Sequence, residues 1–117
     1  MDVDKRLKQI VKSLKDTNPL KIILFGSHAY GEAKTGSDID LIVVLNTDDL
    51  PRTFKERMKY QLLVRNAILD INKEIPIDLI VYTKPMFEQF NSMGSMFSKE
   101  IATKGKVIYE AGNTRLT

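Results

Sequence analysis

The chain has 117 residues, 43% hydrophobic and 28% charged, which is enough for one buried core and too little for two. The 18 basic and 15 acidic residues give a net charge of +3, a mild excess that does not by itself require a nucleic acid partner. The absence of cysteine excludes disulfide frameworks and thiolate metal sites, and no apolar run could span a bilayer, so we expect a cytoplasmic protein.

The first predicted element is an amphipathic helix over residues 3–16. Its apolar positions recur at helical spacing, and lysines occupy another side of the same helix. Such a stripe is usually a solvated helix face, and the alternative is a surface for RNA. The apolar positions are Val3, Leu7, Ile10, Val11 and Leu14, and the lysines are Lys5, Lys8, Lys12 and Lys15.

Two predicted strands and the loop between them carry the unusual residues. The first strand covers residues 21–25, a glycine-rich loop covers 26–37, and the second strand, 38–45, begins with Asp38 and Asp40. Side chains alternate faces along a strand, so these two carboxylates point the same way. Like charges at the edge of an apolar layer repel each other unless a cation lies between them, which favours a divalent metal site.

A third carboxylate strengthens this interpretation. Asp78 is a lone acid in the predicted strand 77–82. Oxygen-only ligands suit Mg²⁺ or Mn²⁺, and Mg²⁺ is usually held by one or two carboxylates together with substrate phosphates. The alternatives at this point are that Asp38 caps a turn and that Asp40 or Asp78 pairs with a lysine.

The loop after the first strand offers groups for a phosphate. Gly26 allows a sharp turn and close backbone approach, and Ser27 adds a hydroxyl to the backbone N–H donors. The simpler interpretation is that Gly26 and Ser27 only turn the chain. His28 is predicted to be a loop or packing histidine, with a phosphate contact as the alternative.

Two helical regions follow in chain order. One helix is predicted over residues 53–73 with a wide apolar face that covers a sheet, and Arg65 is expected to extend its stem along that face rather than bind phosphate. A second begins at Met86. Its Met- and Phe-rich stripe favours core packing, with a surface for a partner protein as the alternative. The first face consists of Phe54, Met58, Leu62, Leu63, Ala67, Ile68, Leu69 and Ile71, and the stripe of Met86, Phe87, Phe90, Met93, Met96, Phe97 and Ile101.

The end of the chain is predicted to close the domain. Gly105 is expected to cap the last helix, residues 107–109 to add an edge strand, and 111–117 to form a flexible tail. With no repeat or linker, residues 1–117 are expected to form one α/β (α+β) domain, a small mixed sheet covered by helices.

The spacing of these motifs resembles a known family. Gly26-Ser27, in the context Leu-Phe-Gly-Ser-His-Ala-Tyr-Gly, precedes Asp38-Ile39-Asp40, in the context Gly-Ser-Asp-Ile-Asp-Leu-Ile-Val, by the interval that is typical of the DNA polymerase β-like nucleotidyltransferases. The chain is most similar to the minimal nucleotidyltransferases (MNT) of prokaryotes. The resemblance extends to Asp78 and to the closing helix, glycine and strand at 101–110. His28 departs from it, because many relatives have arginine there.

The resemblance implies an activity and a role for each candidate residue. An acceptor hydroxyl would attack the α-phosphorus of ATP or another nucleoside triphosphate, and two metal ions about 4 Å apart would stabilise the in-line displacement. Asp38 and Asp40 would hold the metals that bind the triphosphate, Asp78 would help to hold the metal that activates the acceptor, and Gly26 and Ser27 would bind the β- and γ-phosphates.

The resemblance also implies a partner. Related enzymes that modify antibiotics or nucleic acids carry acceptor-binding domains for which 117 residues leave no room, so we expect the acceptor in trans. MNT proteins are often antitoxins of α-helical HEPN toxins, and some transfer AMP to a tyrosine of that partner. The alternative function is a catalytically vestigial binding module that neutralises a partner by forming a complex, and either function is compatible with a homo- or hetero-oligomer.

Overall fold

The computed structural model describes residues 3–34 and 36–112, and the described part contains a four-stranded sheet with helices on both faces. This mixed α/β arrangement confirms the predicted fold class. The helices are α1 (Val3–Leu14), α2 (Ser27–Tyr30), α3 (Phe54–Ala67), α4 (Leu69–Glu74), α5 (Lys84–Ser92) and α6 (Met96–Lys104), and the strands are β1 (Pro19–Phe25), β2 (Ile39–Leu45), β3 (Ile77–Thr83) and β4 (Lys106–Glu110).

The strand order β3-β2-β1-β4 places the two most apolar strands in the middle of the sheet. β1 pairs antiparallel with β2 and with β4. β2 and β3 are parallel, because α3 and α4 carry the chain back across the sheet between them. The predicted edge strand at 107–109 is confirmed as β4, which begins one residue earlier and ends one later.

Side chains of β1 and β2 alternate between two cores. One core lies against α1, α3 and α4, and the other against α5 and α6. Residues 41–45 of β2 are buried on both faces, which explains why that strand is a continuous apolar run. The first core includes Ile10, Leu14, Ile22, Leu24, Leu41, Val43, Val64 and Ile68, and the second includes Ile23, Ile42, Val44, Phe90 and Ile101.

The helix predicted over 53–73 is wrong in two respects. It is two helices, because Ile68 leaves helical geometry (φ −117°, ψ 19°) and buries its side chain. The predicted apolar face also does not cover the sheet as a whole. Val64 and Ile68 are buried, but Phe54 is 70% exposed and Leu62 is 45% exposed.

The stripe predicted to begin at Met86 divides between core and surface. Phe87, Phe90 and Phe97 pack with the second core, whereas Met93 and Met96 are exposed on either side of the turn at Gly94. The helix that carries its first part begins at Lys84 rather than Met86. Proline is tolerated in the first turn of a helix because its missing N–H would have no helical partner there.

Gly105 ends α6 as predicted, for a reason of packing. Its φ of −64° is open to any residue, but a Cβ atom at this position would lie 2.6 Å from the carbonyl oxygen of Ile101. Of the predicted tail, Ala111 and Gly112 form a turn, and 113–117 lie outside the described residues. Within 3–34 and 36–112, no helix has the length and apolarity needed to cross a membrane.

Candidate active site

Asp40 and Asp78 are direct neighbours at one end of the sheet. β2 and β3 are parallel and in register, and Asp40 pairs with Asp78. Both occupy positions that alternate with residues of the first core, so they share the α5–α6 face. Asp38 is exposed and lies just before β2 rather than in it, since the strand begins at Ile39.

The electrostatic state of Asp40 reflects this crowding. Burial raises the pKa of Asp40 above its ordinary value of 3.8, and the negative charge of Asp78 raises it further, followed by a hydrogen bond with Asp78 and by the charge of Asp38. His28 acts in the opposite sense. The site therefore penalises negative charge on Asp40, which is the condition under which carboxylates recruit a cation.

The structure does not support the alternative that Asp40 or Asp78 pairs with a lysine. Among the residues described, the ion pairs are Arg6–Glu74, Lys21–Glu110, Lys73–Asp70 and Lys84–Asp48. None of these pairs includes Asp38, Asp40 or Asp78. The three carboxylates are therefore available to other ligands.

Gly26 places the backbone against Asp40. Its φ of 73° and ψ of −160° lie in a region that is almost restricted to glycine. A Cβ atom at position 26 would overlap Oδ2 of Asp40 and lie 3.0 Å from its Cγ. Only glycine brings the end of β1 and Ser27, the first residue of α2, this close to the carboxylate.

His28 holds the loop rather than standing free beside Ser27. Its Nε2–H donates to the carbonyl oxygen of Ser37 across 3.0 Å, which joins the two ends of the loop. The same histidine lines a cavity of about 370 Å³ together with Val3, Ser37 and Pro76. His28 lies in α2 rather than in a loop, and its contact with Ser37 is of the packing kind that the sequence predicted.

Tyr30 and Glu100 are site neighbours that sequence reasoning missed. The Tyr30 hydroxyl donates to Oε2 of Glu100 at 2.7 Å and fixes α2 to α6. Burial raises the pKa of Tyr30, followed by the Glu100 hydrogen bond, and the charge of Asp40 contributes as well. The two residues are 70 positions apart, so no local pattern could have paired them.

The donor set is suited to a hard divalent cation. Within residues 3–34 and 36–112, no three carboxylate or imidazole groups already stand close enough together to enclose a metal ion. Among these residues the structure brings Asp40 and Asp78 together, and Asp38 does not complete a three-acid cage with them. That is the arrangement Mg²⁺ adopts when substrate phosphates and water complete its coordination.

The sequence of the chain matches a known protein family and a known relative. The polymerase beta nucleotidyltransferase family matches residues 6–114. A protein of Methanocaldococcus jannaschii, named as a candidate protein adenylyltransferase, is 28% identical over 112 residues. The match covers 93% of this chain and all of that relative.

Solved structures share the fold. A candidate nucleotidyltransferase from Sulfolobus solfataricus superposes with a TM-score of 0.60 at 22% identity, over 93% of this chain and 81% of that one. A toxin–antitoxin structure with AMP-PNP gives 0.54 at 21% identity, over 90% and 73%. A mutant of the toxin–antitoxin MntA-HpeT gives 0.53 at 20% identity, over 91% and 73%.

Proposed function

The chain belongs to the polymerase beta nucleotidyltransferase family, and from that premise we propose that it is a metal-dependent nucleotidyltransferase that moves AMP from ATP to a hydroxyl of a protein supplied in trans. The observation that carries this proposal is the in-register pairing of Asp40 with Asp78 beside Gly26 and Ser27. Carboxylates for a cation and donors for a phosphate thus meet at one end of the sheet.

The reaction is a displacement at phosphorus. The acceptor oxygen bonds to the α-phosphorus of ATP, the bond from that phosphorus to the bridging oxygen breaks, pyrophosphate leaves, and the hydroxyl proton passes to solvent. Mg²⁺ or Mn²⁺, when bound, would neutralise charge on the attacking and leaving oxygens. Asp38 and Asp40 would hold the metals that bind the triphosphate, and Asp78 would help to hold the metal on the acceptor side.

The positions of these residues suit a division of roles. Asp40 lies next to the turn at Gly26, where a triphosphate could receive the Ser27 hydroxyl and backbone N–H groups. Asp78 is exposed and belongs to β3, at the edge of the sheet. An acceptor side chain can therefore approach from the β3 side while the phosphates occupy the β1 side.

The protein acceptor and the antitoxin role are supported by the relatives. The relative from Methanocaldococcus jannaschii is named for adenylyl transfer to protein, and two structural neighbours are toxin–antitoxin structures. We propose that this chain likewise neutralises an α-helical HEPN-type toxin, by transferring AMP to a tyrosine hydroxyl of that toxin. The second candidate function, a vestigial module that neutralises by binding alone, would not need Asp78.

The experiment is transfer of label from α-labelled ATP, with Mg²⁺, into proteins of a lysate from the source organism. The unsubstituted chain is expected to label an acceptor band, and Asp78→Asn is expected to abolish that label while preserving the unfolding temperature. The matched control is Asp48→Asn, an exposed acid that follows β2 at the opposite end of the sheet. Label that persists in the Asp78→Asn reaction would exclude the catalytic role of Asp78, and no label with any of the four nucleotides would favour the binding module.

A further inference from the structure

Exposed apolar side chains are concentrated in one region of the described chain. Of the large hydrophobic residues left exposed, five lie between positions 50 and 69. Those on α3 and at the start of α4 are Phe54, Leu62, Leu63 and Leu69, which are 70%, 45%, 49% and 45% exposed. α3 already packs against the first core through the buried Val64 and the partly buried Tyr60. Its exposed apolar side chains are therefore not needed to hold the helix on the sheet.

Part of this surface has the spacing of a helix-binding stripe. Phe54, Met58, Leu62, Arg65 and Leu69 follow one another at intervals of four, four, three and four residues. The first four of these positions form one continuous line along α3, and Leu69 begins α4 beyond the break at Ile68. We call these five residues the α3 stripe.

Basic side chains outnumber acidic ones on α3, which carries most of the α3 stripe. Lys55, Lys59 and Arg65 are exposed on α3 and take part in none of the ion pairs of the described residues. The acid of the same helix, Glu56, is engaged at its N-terminus, where it accepts from the backbone of Arg52 and Thr53. A partner helix with an apolar stripe flanked by carboxylates would complement this surface.

The α3 stripe adjoins the candidate active site. Gln61 Nε2 donates to the carbonyl oxygen of Leu79, the residue after Asp78, across 3.2 Å. As the connection between parallel strands, α3 runs opposite to β3. Arg65, one turn after Gln61, therefore lies toward the end of β3 that carries Asp78.

The edge of β3 is closed to an added strand at the same place. Asn72 Oδ1 accepts from the backbone N–H of Ile77 at 2.8 Å, and Gln61 occupies the carbonyl of Leu79. These side chains occupy one main-chain donor and one main-chain acceptor of the β3 edge on either side of Asp78, which disfavours an added strand there. A partner that binds through side chains avoids this competition.

We propose that the acceptor protein docks on the α3 stripe through an amphipathic helix with acidic flanks, and that it reaches around the β3 edge to present its hydroxyl to Asp78, which is exposed on the α5–α6 face. The proposal rests on the proposed function, since it places the acceptor of that reaction. It differs from the alternative considered for the Met- and Phe-rich stripe, a partner surface there, because three phenylalanines of that stripe pack in the second core.

The test is the rate of label transfer to the acceptor band, after that acceptor has been purified, at several acceptor concentrations. Leu62→Glu is expected to lower transfer about tenfold at low acceptor concentration through a higher KM for the acceptor, with affinity for ATP unchanged. The matched control is Met96→Glu, because Met96 is 90% exposed on the other face. Full transfer with Leu62→Glu, or an equal loss with Met96→Glu, would overturn the docking site.

A second variant guards against a folding defect in the first. Arg65→Glu changes an exposed charge, and it is expected to raise the KM for the acceptor several-fold and to weaken the dependence of transfer on salt. Its control is Lys12→Glu, because Lys12 is exposed on α1 beside β4, at the opposite edge of the sheet from β3, and this change should alter neither quantity. An unchanged salt dependence with Arg65→Glu would contradict the acidic partner. If the unsubstituted chain transfers no label, both the proposed function and the docking site are wrong. If it transfers label and Leu62→Glu leaves that transfer unchanged, only the docking site is wrong.

Discussion

The ionised side chain of Asp40 lowers the stability of the folded protein. Its pKa is raised mainly by burial and then by Asp78, so the folded protein keeps a proton in a pH range where the unfolded chain has lost it. Stability therefore falls as pH rises through the range that starts at the ordinary value of 3.8. Above this range the ionised carboxylate is a cost to the fold.

The first prediction follows from that sign. Without divalent metal, Asp40→Asn is expected to unfold at a higher temperature than the unsubstituted chain at neutral pH, because the amide carries no charge. The difference should disappear as the pH falls well below 3.8, where the carboxyl group is neutral in both states. Thermal unfolding across a pH series measures it, and Asp70→Asn on the solvent side of α4 is the control. A lower unfolding temperature at neutral pH would contradict the raised pKa.

The second prediction concerns the glycine beside Asp40. Gly26→Ala is expected to cost clearly more than Gly31→Ala in the free energy of unfolding. At Gly31 (φ 77°, ψ 17°) a Cβ meets no atom, so the cost is that of the left-handed conformation, about 1–2 kcal/mol. At Gly26 the backbone region is almost restricted to glycine, and the Cβ also overlaps Asp40. Chemical denaturation of the two variants compares them, and equal losses would show that Asp40 moves aside freely.

At this scale, local sequence indicates some site residues and not others. Asp40 and Asp78 could be predicted because strand alternation and their apolar neighbours fix which face they share. The register that makes them direct partners depends on how the crossover helices pack across the two strands. No local sequence pattern specifies that register. Tyr30 and Glu100 meet through tertiary packing alone, and the sequence carries no signal for that contact.

At the scale of the secondary-structure elements, two threonines precede helices in different ways. Thr53 caps α3, where its hydroxyl accepts from the N–H of Glu56 at 3.1 Å. Thr83 precedes α5 but makes no side-chain capping bond, and its buried hydroxyl has no partner among the described residues. The Thr53 hydroxyl therefore stabilises the start of its helix, whereas the buried hydroxyl of Thr83 destabilises the fold because it has lost water and gained no partner within the described chain.

The third prediction tests this difference by chemical denaturation. Thr83→Val keeps the shape of the side chain and removes an unsatisfied hydroxyl, so we expect the free energy of unfolding to stay equal or to rise by about 1 kcal/mol. Thr53→Ala, the matched variant, is expected to lose about 1 kcal/mol with its cap. A loss at Thr83 similar to the loss at Thr53 would show that its hydroxyl bonds in solution.

The helices show where sequence patterns fail at this scale. The apolar periodicity of 53–73 predicts the presence of a helix, and the capping box at Thr53 fixes its start. It does not separate apolar residues that enter the core from those that remain exposed, because both follow helical spacing. The end of α3 at Ile68 arises because that side chain turns into the first core, which is a tertiary effect.

At the scale of the whole molecule, the fourth prediction concerns ligand binding. ATP and Mg²⁺ together are expected to raise the unfolding temperature by several degrees, since a ligand at about 100 times its Kd stabilises the folded state by about 2.7 kcal/mol. Asp40→Asn and Asp78→Asn should each lose most of that rise, because both sit where the cation would bind. Calorimetric scans with ATP alone, Mg²⁺ alone and both measure it. A full shift in the doubly substituted chain would separate nucleotide binding from these aspartates.

The fold class was predictable because apolar runs, glycine positions and the resemblance agree on a sheet covered by helices. The order of the strands in the sheet could not be predicted. It depends on β4 returning to the free side of β1, and the weak hydrophobicity of Lys106–Glu110 does not indicate which neighbour it joins.

The arrangement of β1 has a practical consequence for labelling and immobilisation. Val3 lies beside the loop, in the cavity with His28 and Pro76, whereas Ala111 donates its N–H to Leu20 at the opposite end of β1. The seven residues of β1 separate these points by about 20 Å. A fluorophore or affinity tag joined ahead of Val3 would emerge beside Ser37 and Pro76, at the end of the sheet where β2 and β3 begin, and we expect it to restrict access to that end. One joined after Gly112 would leave that entrance open, so the two fusions should differ in transfer rate even when both are folded.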